Sequence, residues 1–186
     1  MGDVMNYELL VNKTNFLDEN YIPDNLVNSL SKYKDNILVE EKALEAFRKM
    51  QKEALEYNYN IDIMSAYRSY NYQNNLYNNL VKEKGFNYAL RMIAKPGCSE
   101  HQTGLAIDYC IYRNDLCYVE HNVENLNESK WIKENAHKYG FIIRYPKGKE
   151  EITGYNYEPW HLRYVGDLAI YLYNNDLTLE EYYYNK

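Results

Sequence analysis

The sequence predicts an α+β fold in which helices flank a small, mostly antiparallel sheet. Segments with helical periodicity and short β-branched segments alternate irregularly along the 186 residues, without the regular strand–helix repeat of parallel α/β proteins. Hydrophobic residues make up 46% and charged residues 26% of the chain, which is typical of a soluble globular protein. Because no repeat, low-complexity tract or Pro/Gly/Ser-rich linker interrupts residues 1–186, we expect a single domain.

Apolar spacing and helix-ending residues define the elements in the first half of the chain. Between Glu40 and Tyr57 apolar residues recur every three or four positions, which predicts an amphipathic helix. The segment NIDIMSAY is short, partly alternating and β-branched, so it predicts a strand. The predicted elements are an irregular arm over residues 9–27, helices over 40–57, 70–84 and 88–94, and a strand from Asn60. Gly85 and the following Lys-Pro-Gly turn end the second and third helices.

The second half of the chain is predicted to contain three strands and three helices. Gly140 stops a helix and is followed by the strand-like segment FIIRY. Thr178, with Glu181 three residues later, fits a capping box that opens a last short helix. The other predicted elements are strands over 105–111, 141–145 and 160–165 and helices over 131–139 and 166–173.

Charge and hydropathy exclude two classes of partner. The net charge is −6 without a cluster of Lys and Arg, whereas phosphate binding requires such clusters, so we expect no nucleic-acid ligand. No apolar run approaches the roughly 20 residues of a membrane span, so no transmembrane segment is predicted. The start MGDVMNYELLVNK has no basic stretch followed by an apolar one, so no signal peptide is visible. We expect the protein either to stay in the cytoplasm or to be exported by a segment outside this sequence.

Cysteine and tyrosine usage leave two alternatives open. The three cysteines, Cys98, Cys110 and Cys117, are odd in number and lack CxxC spacing, which argues against a disulfide framework and a Cys-rich zinc site. Cys98 is either a neutral filler residue or a reactive thiol. The 23 tyrosines should often lie half-exposed around grooves and edges, since their hydroxyls need partners. They either line a peptide groove or occupy ordinary boundary positions.

Two segments carry the residues best suited to chemistry. SEHQTGLAIDY places His101 and Asp108 seven residues apart, and EPWHLRYVG places Glu158 three residues before His161. Catalytic zinc commonly takes three N/O ligands and keeps a fourth position open, and His101, Asp108 and His161 meet that requirement. Glu158 is then the candidate general base.

Each of these residues also has a purely structural interpretation. Asp108 ends an apolar run and is compatible with a turn, and a solvated role suits Glu158. The remaining histidines, His121 and His137, are interpreted as structural, since one lies in a polar loop and the other near a helix C-terminus. Taken singly, each segment is a weak signal.

Together with SAYRSYNYQ, the two segments resemble the signature motifs of the VanY-type D-alanyl-D-alanine carboxypeptidases. This family is part of a superfamily of zinc peptidases that includes lysostaphin-type enzymes and the hedgehog domain. LLVNK and LTLEEY extend the resemblance over nearly the whole chain. The resemblance implies a hedgehog-like fold with His101, Asp108 and His161 as Zn²⁺ ligands and Glu158 as catalytic base. It further implies that Arg68 holds the substrate carbonyl and developing oxyanion, and that two more residues, Gln73 and Ser99, contact substrate.

Local sequence constrains how these residues meet. Because His101 precedes a predicted strand and Asp108 lies near its end, the chain must bend, and Gly104 permits this. Pro159 favours an extended segment over a helix, yet residues three apart in a strand face opposite ways. A twist or turn is therefore required before His161, and Trp160 is expected to pack beneath the site.

The resemblance implies a zinc-dependent D,D-carboxypeptidase that hydrolyses the terminal D-Ala-D-Ala bond of peptidoglycan stem peptides. Alternatives within the family are an L,D-carboxypeptidase, a D-Ala-D-Ala dipeptidase and a wall endopeptidase. A non-catalytic zinc-containing peptide-binding module is the alternative from another class. The expected partner is a stem peptide or muropeptide, and the expected state is a monomer that faces the cell wall if it is exported.

Overall fold

The secondary structure is described for residues 6–114 and 116–184 of a computed structural model. Residues 1–5, which form part of the segment in which no signal peptide is predicted, lie outside the described residues. The strands are β1 (Leu26–Asn28), β2 (Leu38–Glu40), β3 (Asn60–Ser65), β4 (Ala106–Arg113), β5 (Leu116–Tyr118), β6 (Phe141–Tyr145) and β7 (Glu158–Tyr164). The helices are α1 (Glu41–Glu56), α2 (Tyr70–Lys84), α3 (Phe86–Met92), α4 (Asn127–Asn135), α5 (Glu150–Thr153), α6 (Leu168–Asn174) and α7 (Leu179–Tyr184). Short 3₁₀ turns cover Glu100–Thr103, Glu120–Val123 and Ala136–Tyr139.

An antiparallel sheet of five strands forms the centre of the protein. Its order is β3-β4-β7-β6, and β5 pairs with the far end of β4. β1 and β2 form a separate antiparallel pair. Helices flank this small sheet, which confirms the predicted α+β fold.

The two longest helices begin and end where the local sequence provides caps. The Glu40 carboxylate accepts the Ala43 backbone N–H at 2.9 Å and opens α1, and Ser69 opens α2 in the same way, which satisfies N–H groups that lack intrahelical partners. One face of α1 is buried against the sheet, where Phe47 meets the edge of Phe141 at 6.3 Å between ring centroids. Gly85 ends α2 at φ 87°, in the left-handed region that glycine adopts without strain.

The predicted elements are all present, with differences at their ends. α3 begins two residues before the predicted position, and α4 begins at Asn127 rather than Trp131. The predicted capping box is formed, since the Glu181 carboxylate accepts the Thr178 N–H at 2.8 Å and the Thr178 hydroxyl accepts the Glu181 N–H at 3.2 Å. β1, β2, β5 and α5 were not predicted, because elements of three or four residues have no readable periodicity.

The irregular arm lies over the core as expected. The Leu9 carbonyl accepts a hydrogen bond from Nη2 of the buried Arg163 at 2.7 Å, and the side chain of Gln102 donates to the Asp18 carbonyl at 2.9 Å. None of the described helices is long and apolar enough to cross a membrane.

Candidate active site

Asp108 and His161 meet because they are paired across two neighbouring strands. Asp108 of β4 lies directly opposite His161 of β7, and directly opposed residues place their side chains on the same face. His161 Nδ1 is 3.1 Å from Asp108 Oδ1, and both side chains are buried. Strand register therefore brings together two predicted site residues that are 53 positions apart in the sequence.

His101 reaches the same point from the 3₁₀ turn before β4. Gly104 ends that turn at φ 72°, and its left-handed conformation redirects the chain into the strand, as predicted. His101 Nδ1 hydrogen-bonds to the Ala66 carbonyl at 2.6 Å, so Nε2 faces Asp108 Oδ2 at 3.2 Å. The imidazoles of His101 and His161 are 4.9 Å apart between centroids and nearly perpendicular.

A bulge in β7 places Glu158 beside His161. Opposite β6, Ile143 pairs with Leu162 but Tyr145 pairs with Glu158, so β7 contains two extra residues over this stretch. Bulges break the strict alternation of side chains, and Glu158 Oε2 is consequently 3.5 Å from His161 Nδ1. This irregularity is the twist that the spacing of the two residues required.

Arg68 lies at the edge of this group. Its backbone N–H donates to the His101 carbonyl at 3.1 Å, and Nη2 is 3.5 Å from Asp108 Oδ2. The side chain is 21% exposed, and its Nε has no hydrogen-bond partner among the described residues. Arg68 therefore presents unused donors beside the carboxylate.

The three predicted ligands form a set that fits a metal ion. One nitrogen or oxygen of His101, Asp108 and His161 each lies within 4.8 Å of the others. Among the described residues, His101 Nε2 and Asp108 Oδ1 are buried without a hydrogen-bond partner, which is costly unless something else binds them. Two imidazoles and one carboxylate are the donor types that zinc accepts. The arrangement therefore has the chemistry of a zinc site.

Comparison with known proteins identifies the family. The model of the family described as VanY, D-alanyl-D-alanine carboxypeptidase, matches residues 36–167. The chain belongs to the VanY family. A putative carboxypeptidase of Bacillus subtilis, YodJ, is 43% identical over 180 residues, which cover 94% of this chain and 66% of that protein. VanXYC of Enterococcus gallinarum, a bifunctional D-Ala-D-Ala dipeptidase and carboxypeptidase, is 37% identical over 182 residues, which cover 96% of this chain and 94% of the relative.

Solved structures of similar proteins share the fold. The LD-carboxypeptidase LdcB superposes with a TM-score of 0.88 at 43% identity, over 97% of this chain and 88% of that one. A mutant of the D,D-pentapeptidase VanY, solved with Zn(II), superposes with a TM-score of 0.78 at 30% identity, over 95% of this chain and 98% of that one. This family of peptidases thus includes enzymes of more than one specificity.

Burial and neighbouring charges shift the pKa values of the site residues in different directions. Burial and the nearby Arg68 guanidinium lower the pKa of His101 to about 4. Burial alone would raise the pKa of the Asp108 carboxyl, but the imidazoles of His101 and His161 hold it well below its usual range. Burial raises the pKa of Glu158 to about 7, assisted by Asp108 and opposed by His161. A bound dication would lower this pKa, which leaves Glu158 able to accept a proton at neutral pH.

The two predicted substrate contacts, Gln73 and Ser99, line the same cleft as the candidate ligands. The cleft has a volume of about 210 Å³. Gln73 is buried and donates to the Ala94 carbonyl at 2.8 Å, and its Oε1 has no hydrogen-bond partner within the described part of the chain. Trp160 is only half-buried and lines the cleft, so the expectation that it packs beneath the site is wrong in part. Its ring also packs against the hydrophobic core and meets the ring of His121 edge-on, at 4.6 Å between centroids.

Several residues that line the cleft were not anticipated from the sequence. Tyr145 packs against the His161 ring at 4.9 Å between centroids, and the Tyr155 hydroxyl donates to the Cys98 carbonyl at 3.3 Å. A neighbouring groove of about 540 Å³ shares Arg68 with the cleft and is also tyrosine-rich. The tyrosine count was a general signal for such grooves, but it did not single out positions. Glu100, which lies behind His161, stands beside His101 in the first signature segment, but no role was predicted for it.

The remaining polar residues outside the cleft fit structural roles. His137 stacks on Tyr173 at 3.7 Å between ring centroids. Cys98 and Cys110 are buried and free, and Cys117 is exposed and free. Burial raises the pKa of the Cys98 thiol, which disfavours the reactive thiolate.

Proposed function

We propose that this member of the VanY family is a zinc-dependent carboxypeptidase that hydrolyses the terminal D-Ala-D-Ala bond of peptidoglycan stem peptides. The proposal depends on the convergence of His101, Asp108 and His161 from three segments of the chain, with ligand atoms within 4.8 Å of one another. Zinc is favoured by the donor set and by the Zn(II) complex of the similar VanY enzyme. When bound, zinc supplies Lewis acidity that polarises a carbonyl and acidifies water.

Glu158 is proposed as the group that moves protons. Its carboxylate lies next to the ligand set, 3.5 Å from His161 Nδ1, without being part of that set. A free carboxylate at this position takes a proton from the attacking water and delivers it to the leaving amine. A carboxylate bound to the ion would be a poorer proton carrier.

Arg68 is proposed to bind the oxygen on which negative charge develops. Its side chain is partly exposed and lines the cleft, and its Nε finds no partner in the segments that the structure describes, so it retains donor capacity for substrate. Fixed positive charge aimed at a developing oxyanion contributes strongly to acyl transfer. Gln73 and Ser99, which both line the cleft, are proposed as contacts for the rest of the stem peptide.

Replacement of Glu158 tests the proposed mechanism. We expect Glu158→Gln to lower kcat by about 10²–10⁴-fold for release of D-alanine from a pentapeptide, while bound zinc remains stoichiometric. Glu151→Gln, at an exposed position of α5, is the matched control and should retain full turnover. Full turnover in a zinc-loaded, folded Glu158→Gln protein would exclude Glu158 as the base. Absence of activity in the wild-type protein despite bound zinc would favour a peptide-binding module.

L,D-carboxypeptidase activity is the second candidate. The LD-carboxypeptidase LdcB is more similar in sequence and structure than the VanY enzyme, at 43% against 30% identity and TM-scores of 0.88 against 0.78. Pentapeptide, tetrapeptide and free D-Ala-D-Ala, each incubated with and without chelator, separate the alternatives by product mass. Faster cleavage of the tetrapeptide would replace the D,D assignment with the L,D one.

A further inference from the structure

A buried ionic cluster lies behind His161. It consists of two carboxylates and two guanidinium groups, each at most 1% exposed: Glu100, Glu180, Arg144 and Arg163. Arg144 donates to Glu100 at 2.7 Å and to both oxygens of Glu180 at 2.8 and 2.6 Å. Arg163 donates to Glu100 at 2.7 Å. Positive and negative charges are equal in number, and their mutual attraction offsets part of the cost of burying them.

The two oxygens of Glu100 have different surroundings. Oε1 accepts from both arginines, whereas Oε2 is buried and has no hydrogen-bond partner among the described residues. His161 Nε2 is in the same condition, and these two atoms are 3.7 Å apart. A buried polar atom left unpaired costs about 1–3 kcal/mol. One atom is an acceptor and the other can be a donor, so each provides what the other lacks.

The orientation of the His161 ring assigns a role to this contact. Nδ1 faces Asp108 at 3.1 Å, so His161 would bind an ion through Nδ1 and keep its proton on Nε2. We propose that Glu100 is a positioning residue that accepts this Nε2–H and fixes the ring for coordination. Arg144 and Arg163 in turn hold Glu100. The inference rests on the proposed function, since that function makes His161 a zinc ligand.

Two isosteric substitutions separate this role from general stabilisation. Glu100→Gln and Glu180→Gln each remove one negative charge from the same cluster. Each also weakens an ion pair of Arg144, so both substitutions should lower the free energy of unfolding. Of these two carboxylates, Glu100 is the one that lies next to His161. In Glu100→Gln, the amide oxygen stays with the two arginines, and the NH₂ group therefore points a second donor at His161 Nε2.

Zinc affinity is the deciding measurement, made by competition between apo-protein and a chromophoric chelator. We expect Glu100→Gln to bind Zn²⁺ about 10–100-fold more weakly and Glu180→Gln to bind it with nearly wild-type affinity. Unchanged Zn²⁺ affinity in Glu100→Gln, or equal losses of affinity in both variants, would overturn the proposed role of Glu100. Either result would leave the proposed function of the protein standing. A wild-type protein that takes up no zinc would overturn the proposed function and this inference with it.

A crystal structure of the zinc-loaded wild-type protein provides a second test that does not depend on folding of a variant. Coordination through His161 Nδ1, with the Nε2–Oε2 separation shortened from 3.7 Å to about 2.7–3.2 Å, is expected. Coordination through Nε2, or a separation that stays beyond hydrogen-bond distance, would overturn the proposal.

Discussion

Replacement of Gly104 with alanine should destabilise the protein more than the same change at Gly154. The two glycines have nearly the same backbone conformation, φ 72° and ψ −1° against φ 74° and ψ 7°. Alanine in this left-handed region costs about 1–2 kcal/mol. The entropy change in the unfolded chain is the same for both substitutions and cancels in the comparison.

The two sites differ in the space around the added methyl group. At Gly104 a Cβ would lie 2.9 Å from Leu26 Cδ2 and 3.2 Å from the Glu40 backbone nitrogen. That nitrogen donates to the Gly104 carbonyl at 3.0 Å, so it is not free to retreat. At Gly154 the nearest neighbour is the flexible Lys13 side chain at 3.5 Å, an ordinary contact. Overpacking typically costs about 1–3 kcal/mol, which applies only to Gly104.

We therefore expect unfolding free energies lower by about 1–2 kcal/mol for Gly154→Ala and by about 2–5 kcal/mol for Gly104→Ala. Urea unfolding at 25 °C measures both, provided that the m value is unchanged. The Gly104 turn carries His101, so Zn²⁺ affinity should fall in that variant alone. Equal urea midpoints for the two variants would refute the steric argument.

Three further predictions concern the core, the C-terminal helix and the metal. Phe47→Ala should lower the unfolding free energy by about 3–5 kcal/mol, because this ring is fully buried. The control Phe16→Ala, at a 75% exposed ring, should change it by less than about 0.5 kcal/mol. Similar decreases of the unfolding free energy in the two variants, measured by urea unfolding, would contradict this prediction. Burial raises the pKa of the Glu181 carboxyl, but the Thr178 N–H and the Lys149 ammonium lower it by more, so the net shift is downward. The resulting stability is present above the unfolded pKa of about 4.3 and is lost as pH falls through the lower folded pKa. The difference in unfolding free energy between wild type and Glu181→Gln should therefore shrink in acid, and a constant difference would refute it. Zinc at about 100 times its Kd should stabilise the apo-protein by about 2.7 kcal/mol, seen as a rise in Tm that chelator reverses; an unchanged Tm would contradict folded-state binding.

Elements with strong local signals could be predicted, and elements that depend on distant partners could not. The bounds of α2 followed from its apolar spacing and from Gly85, and those of α1 from periodicity alone. β1 and β5 each contain three residues and exist because a neighbouring strand supplies hydrogen bonds. A segment of three residues is too short to show the alternation of apolar and polar residues from which a strand is predicted.

The candidate site divides in the same way. The motifs pointed to His101, Asp108 and His161, and the need for a bend was visible at Gly104. The need for a twist between Glu158 and His161 was visible as well, but its form, a bulge in the register with β6, is not encoded in the local sequence. Glu100 escaped prediction because its arginine partners are 44 and 63 residues away, and a buried carboxylate looks like any other acidic residue in a sequence.

The direct pairing of Asp108 with His161 limits how the chain length can vary. A one-residue deletion just before either position would turn the side chain to the opposite face of the sheet and separate the pair. Extra residues in the loops that connect β5, α4 and β6 would leave the pairing intact, because only the hydrogen-bonded segments 106–108 and 161–163 define it. Natural insertions that preserve activity should consequently accumulate in those connections and be absent from the two short strand segments.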